Sequence, residues 1–372
     1  MAEMIQRWCC AAAHVALLDE YRDVRHSVSA PASGSDLAPF VDWETTSSLR
    51  RRLAAQGFTI AEAMDTAQRS MLGWPLAREL IQRTGSLKLA HGFVAGAGAD
   101  GLAPDARVSQ FVDTVVEQGH AIRAAGGEIA ILPLVPLALA RANERTYIEV
   151  FSAIARELGG PLILHRLGPL FDPRLERDFP GDSFRRVLAD HVEHYRAVKY
   201  SMLDEAGEES LRRELLPRQQ FVLTGDDWNF PRLIAGGSTR PAPVTGRTTF
   251  GARTIALGDF SHALLGILSV IGAPFVRALP ALEADDAREW LAAMEPCAAL
   301  GRTLFERPVG DYKAGVARIA FWNGWQRNPL LFNHQERSRE SAHWERLYAL
   351  AKSAGVLEEP SRAEALMRAG GW

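Results

Sequence analysis

Lysine is scarce in this chain. Lys88, Lys199, Lys313 and Lys352 are all it has, and arginine carries nearly all the other positive charge. Lys199 has the most unusual setting, within Ala197-Val198-Lys199-Tyr200-Ser201, which reads as a buried strand followed by a polar Ser201-Met202-Leu203-Asp204 segment. An ammonium buried on such a strand is costly unless it is paired or loses its proton. Arginine could supply a charge here, but only lysine can be deprotonated and condense with a carbonyl as a Schiff base. Taken alone, the segment favours a plainer account, a lysine near a strand end whose head snorkels to solvent. The segments around it reverse that preference.

Strand-like and helix-like stretches alternate for most of the length, the pattern of a parallel sheet with crossover helices. Strands are expected at Trp8 to Ala13, Phe58 to Met64, Leu87 to Val94, Glu128 to Val135, Pro161 to Leu164, the lysine segment, and Phe221 to Thr224. Helices are expected from Asp42 through Ala55, over Pro75 to Arg83, Val108 to Ala125, Thr146 to Leu158, and Phe184 to Arg196. The eighth strand is either Thr254 to Leu257 or a segment near Leu264 to Ser269, because the Thr-, Arg-, Pro- and Gly-rich stretch between Gly236 and Gly258 reads as an inserted loop. Beyond about residue 281 the pattern is helical, including Asp285 to Ala299 and Ser341 to Ala354. The expected architecture is an α/β (β/α)8 TIM barrel over residues 1–280, with the insertion near 236–258, and a C-terminal helical extension over 281–372.

In a parallel barrel the reactive groups gather at the C-terminal ends of the strands. Those ends present His14, Asp65 and Thr66, the small-residue turn Gly96 to Asp100, His165 and Arg166, Lys199, and Asp226 and Asp227. The ring combines an amine nucleophile, an imidazole and several carboxylates. Composition narrows the partners: 47% hydrophobic and 23% charged residues are those of a soluble globular protein. A net charge of −3 argues against nucleic acid. Cys9, Cys10 and Cys297 make no disulfide framework and suit a reducing, cytoplasmic compartment. The apolar run Trp8 to Leu18 is broken by His14 and too short to span a membrane, so no membrane partner is expected.

Four stretches, in order, resemble the dihydrodipicolinate synthase and N-acetylneuraminate lyase superfamily of class I aldolases. Phe93 to Asp100 resembles its third-strand turn, Pro161 to Gly168 its fifth strand, Ala197-Val198-Lys199-Tyr200 its Schiff-base strand, and Val222 to Asp227 with Pro231 its seventh-strand segment. Ala287-Arg288-Glu289, Leu304 to Pro308 and Tyr312-Lys313-Ala314-Gly315 are similar to its helical tail, and the likeness runs over roughly residues 57–325. Two departures stand out. The usual Gly-Thr-Thr-Gly turn reads Asp65-Thr66-Ala67-Gln68, and the usual fifth-strand tyrosine is His165. With Ala63 to Arg69, Leu164 to Pro169 and Phe171-Asp172-Pro173, the chain resembles a little-characterised branch named only as synthase-like.

The resemblance implies a cofactor-independent lyase acting on a small carbonyl substrate, as a homo-oligomer (dimer or tetramer). Lys199 would attack a ketone or 2-oxo group, and the iminium would serve as electron sink for the adjacent bond. His165 would shuttle protons with a near-neutral pKa, and Thr66 would orient it or a substrate hydroxyl. Asp65, Gly96, Gly98, Arg166, Asp226, Asp227 and His14 would bind substrate. Asp65 suggests a substrate richer in hydroxyls than in negative charge, with Arg69 or Arg166 able to hold an acidic group. Plainer accounts stand beside these: His165 bonded to a carbonyl, at least one of Asp226 and Asp227 capping a helix, His191 and His194 solvated on a helix, and Lys313 structural. Two other classes stay open. One is a metal-dependent sugar isomerase or epimerase drawing on Glu62, His14, His165 and Asp226. The other is a barrel without catalysis that serves as a binding protein.

Overall fold

The computed structural model describes residues 7–27, 29–32 and 34–368. Eight parallel strands close into a barrel: β1 (Cys9–Ala12), β2 (Thr59–Glu62), β3 (Phe93–Ala97), β4 (Glu128–Ile131), β5 (Leu162–Leu167), β6 (Tyr195–Ser201), β7 (Phe221–Thr224) and β10 (His262–Leu265). β1 bonds to both β2 and β10, so the sheet has no edge. Two further strands, β8 (Gly246–Phe250) and β9 (Arg253–Leu257), form a separate antiparallel hairpin. With helices between the strands and helices Ala287–Leu304, Tyr312–Trp322, Ser341–Ser353 and Pro360–Arg368 after them, this is a TIM barrel with C-terminal helices. No helix among the described residues is long and apolar enough to cross a membrane.

Successive side chains on a strand face opposite ways. Cys10, Ala61, Val94, Ala130, Ile163 and Ala197 belong to an apolar cluster inside the barrel. Their neighbours Ala11, Ile60, Ala95, Ile129, Leu164 and Val198 belong to a larger cluster between strands and helices. Both faces are covered, which is why these strands read as near-continuous apolar runs. Helix starts follow local chemistry: Asp42 accepts from the Thr45 amide at 2.9 Å, and Asn143 from the Thr146 amide at 3.0 Å.

Four expectations are corrected. The eighth barrel strand is His262–Leu265; the helix Leu268–Glu283 begins where the Leu264 to Ser269 alternative expected strand, and Thr254 to Leu257 lies in the hairpin instead. Within the expected loop, Thr248 and Phe250 are buried while Arg247 and Thr249 are exposed, a period of two that makes strand of a Thr- and Arg-rich run. Leu87 to Val94 is mostly a turn, because the preceding helix runs on to Ser86 and β3 starts only after Gly92, at φ 62°. His191 and His194 stand in the turn after helix Ser183–Asp190, not on a helix.

The hairpin closes the N-terminal end of the barrel. Phe250, Ile255 and Leu257 join Trp8 and Phe221 in the inner cluster, and Arg253 pairs with Glu128, the first residue of β4, at 2.5 Å. His262 ties this end together: its Nδ1 accepts from the Trp8 amide at 2.8 Å and its Nε2 donates to Ala256 O at 3.0 Å. Burial, then the charge of Arg7, lowers its pKa to about 3. Between pH 6.5 and 3 the unfolded chain therefore holds a proton at His262 that the folded chain lacks, so stability from this residue is lost as pH falls through that window. Against a His262→Gln variant, which keeps a donor and an acceptor, wild-type stability should fall by about 1.4 kcal/mol for each pH unit below 6.5. Denaturant melts of both proteins from pH 7 to 4 check this; parallel curves would refute the neutral, bridging imidazole.

Candidate active site

The alternation that places Ala197 in the inner cluster also turns Lys199 and Ser201 inward from β6, and Tyr200 outward. Lys199 is only 8% exposed and has no hydrogen-bond or ion-pair partner among the described residues. Burial lowers its pKa to about 8, while Asp65, Asp227 and Cys10 pull it back up. Small residues surround its level. Gly225, two residues on from the inward Leu223, leaves the space Ser201 Oγ fills, since a Cβ there would lie 2.0 Å from that oxygen. Gly266, beyond Leu264 on β10, does the same for the Tyr312 ring, which a Cβ would meet at 2.9 Å.

His165 faces Lys199 across the β5–β6 register. Its Nε2 is 3.3 Å from Ser201 Oγ, and its Nδ1 is buried with no hydrogen-bond partner among the described residues. Burial, then the charge of Lys199, holds its pKa well below 6.5. The expected near-neutral proton shuttle is corrected accordingly: with a cation as the charged neighbour, the ring stays neutral and presents an unpaired nitrogen to the interior.

After β2 the chain turns sharply, with Ala63 at φ 49° and a single 3-10 turn over Asp65–Ala67. Thr66 Oγ1 lies 2.6 Å from the Tyr312 hydroxyl, and Asp65 pairs with Lys313 Nζ at 2.9 Å. Lys313 also donates to Gly310 O at 2.7 Å. The carboxylate expected to repel anions is thus neutralised by a lysine from the C-terminal helix. Tyr312 stacks on Phe305 with centroids 4.2 Å apart. Burial, then Asp65, keeps its hydroxyl protonated well above the ordinary tyrosine range.

The other expected residues divide. Asp227 is buried, accepts from the Ile267 amide at 2.8 Å, and has its pKa pushed up to about 8 by burial. Asp226 caps the next turn, accepting from the amides of Trp228 and Asn229 at 2.9 and 3.0 Å. Arg166 points outward to Asp178 at 2.7 Å, and Arg69 is spent on Asp100, Gln118 and Gly96 O, so neither is available for a substrate anion. The Gly98 amide donates to Gln118 at 2.7 Å, and a Cβ on Gly96 would meet Leu132 at 2.7 Å; the third-strand turn packs against protein, with that amide closed to a ligand. His14 is held by Gln326 at 2.5 Å and has its pKa lowered to about 4 by burial.

A metal site from Glu62, His14, His165 and Asp226 does not assemble. Glu62 is locked to Arg50 at 2.6 and 2.9 Å and to Thr84. Among the described residues, His191, Glu193 and His194 alone cluster closely enough to hold an ion, and they precede β6, at the end of the barrel opposite Lys199. Ser201, Tyr312 and Lys313 are the site residues missed by sequence reasoning. Ser201 was within reach, since it shares a strand face with Lys199; the other two arrive from a segment more than a hundred residues away.

Solved structures similar to this chain include dihydrodipicolinate synthases. That of Bacillus clausii is 16% identical, with 95% of this chain and 98% of that chain covered at a TM-score of 0.63. That of Bacteroides thetaiotaomicron is 13% identical, with 94% and 99% covered at 0.65. The Acinetobacter baumannii enzyme, solved with pyruvate, is 17% identical, with 94% and 99% covered at 0.61. At such identities the likeness shows the fold. No curated protein matches the sequence significantly. One family model spans residues 1–370, and the chain belongs to that family, described as "Protein of unknown function (DUF993)".

Proposed function

We propose that this protein is a Schiff-base-forming lyase of the class I aldolase type, making or breaking a carbon–carbon bond or removing a hydroxyl beside a carbonyl. The observation that carries the reading is the Lys199 amine: inward-facing, buried, without an ion-pair partner among the described residues, and lowered to about pKa 8. A lysine kept only to pack would be replaced at less cost by an apolar residue. Its lone pair attacks the substrate carbonyl, water leaves, and the iminium accepts electrons from the adjacent bond. His165 Nδ1 and Ser201 lie beside the amine to hold polar groups of the substrate. With Arg69 and Arg166 committed elsewhere, the lining suits a hydroxylated ketone better than a polyanion. A homo-oligomer, dimer or tetramer, in the cytoplasm belongs to the same reading.

Borohydride trapping with a panel of 2-oxo acids and hydroxyketones tests it. A stable adduct should form on the peptide carrying Lys199, be absent from Lys199→Arg, and form faster as pH rises through about 8, where the amine becomes neutral. No adduct with any carbonyl, together with activity lost to a chelator, would favour a metal enzyme; bound ligand without turnover or adduct would favour a binding protein.

Stability gives an independent check. Below pH 8 the lysine is protonated folded and unfolded, so the full burial penalty is present. Between about 8 and 10.5 only the unfolded chain keeps the proton, and the penalty fades. Lys199→Met should therefore be more stable than wild type at pH 7 by about 3 kcal/mol, with the advantage gone near pH 10.5. Equal stability at pH 7 would mean that the amine is solvated or paired.

A further inference from the structure

We propose that the paired hydroxyls of Thr66 and Tyr312 are the proton-transfer element of this site, Tyr312 being delivered over the barrel mouth by the chain's own C-terminal helix. The proposal rests on the Schiff-base reading above and names the group that such a reaction still needs. Carbonyl addition and loss of water both require a proton delivered to oxygen, and His165, whose side-chain neighbour is Ser201 Oγ at 3.3 Å, is held neutral and is a poor donor of one.

The geometry points to Tyr312. Its hydroxyl is 2.6 Å from Thr66 Oγ1 although the two residues are 246 apart in sequence, and both are buried. The ring has a made place: Phe305 covers one face at 4.2 Å, and Gly266, at the end of an inner row of β10, leaves room that a Cβ would take. The adjacent residue of each segment is fixed too, since Lys313 pairs with Asp65 and so clamps the dipeptide 312–313 onto 65–66. A Cβ on Gly266 would also lie 3.4 Å from Thr66 Oγ1, so both hydroxyl-bearing side chains border the end of that inner row, and Asp65 and Asp227 bear electrostatically on both the Lys199 amine and the Tyr312 phenol. Asp65 is about a third exposed, so this end of the pair meets water while Tyr312 does not.

The step balances as follows. The Lys199 Nζ lone pair forms the C–N bond while the C=O π pair moves to oxygen. Tyr312 gives its proton to that oxygen and is reprotonated through Thr66 from water at the Asp65 edge. The nitrogen releases one proton to solvent. A second proton follows the Tyr312 route, the C–O bond breaks with its electron pair on oxygen, and water leaves, giving the iminium with a net uptake of one proton.

The test uses the full chain with pyruvate and dihydroxyacetone as probes, quenched with borohydride at timed intervals and read by intact mass. Tyr312→Phe, which keeps the stacked ring, should slow adduct formation about 100-fold while leaving the end-point adduct intact. Thr66→Val should fall in the same range, Thr66→Ser should recover most of the rate, and the double variant should be no slower than the slower single one. A Tyr312→Phe rate within about threefold of wild type, or effects of the two sites that simply multiply, overturns the relay and leaves the Schiff base standing. If Tyr312→Phe fails to fold, the Thr66→Val and Thr66→Ser pair decides by the same criterion. If wild type forms no adduct with either probe or with the wider panel, both readings fall.

Discussion

Everything at the mouth of this barrel is arranged around the cost of keeping one amine out of water. An ammonium at the Lys199 position loses its hydration and finds no carboxylate in contact among the described residues, so burial depresses its affinity for a proton. The depression is moderate because Asp65 and Asp227 lie near enough to act through space without bonding to it. Those carboxylates are themselves occupied, Asp65 by Lys313 and Asp227 by the Ile267 amide. The amine itself has no such partner among the described residues.

A closed sheet gives the molecule two ends, and they are sealed differently. At the N-terminal end the hairpin β8–β9 lays Phe250, Ile255 and Leu257 against Trp8 and Phe221, and Arg253 reaches Glu128. That packing is dense, aromatic and held by a bridging histidine, which suits stability. At the opposite end the inner rows finish on Gly96, Gly225 and Gly266, and polar side chains take over. The small residues do not form an anion cradle there. Gly96 packs against Leu132, while Gly225 and Gly266 make space for Ser201 and Tyr312, so the backbone recedes and hydroxyls come forward.

The C-terminal helices are part of this end of the barrel. Tyr312 and Lys313 engage Thr66 and Asp65, Gln326 engages His14, and Gln335 bonds to Gln68 and Asp311. The contacts to Thr66, Asp65, His14 and Gln68 each join the chain after a barrel strand to a residue of the tail, so movement of the tail would disturb the mouth directly. Lys313 shows the double use: as a structural cation it anchors its helix, and as Asp65's partner it removes a negative charge from the rim.

The sequence by itself determined the barrel. Apolar runs of strand length, alternating with helical periods, have few other ways to cover both faces of a parallel sheet. It also singled out Lys199, because burying an ammonium on such a run calls for an explanation at the level of residue type alone. Tertiary structure decided the rest. Side-chain direction at the strand ends separated Lys199, His165 and Ser201, which face inward, from Arg166, which does not, and that depends on register. The commitments of Arg69, Gly98 and Asp65 depend on neighbours far away in the chain, as does the protonation of His165, since a pKa follows burial and nearby charge. The arrival of Tyr312 at Thr66 is the extreme case: nothing local marks that tyrosine, and only the docking of the tail onto the closed barrel brings the two hydroxyls together.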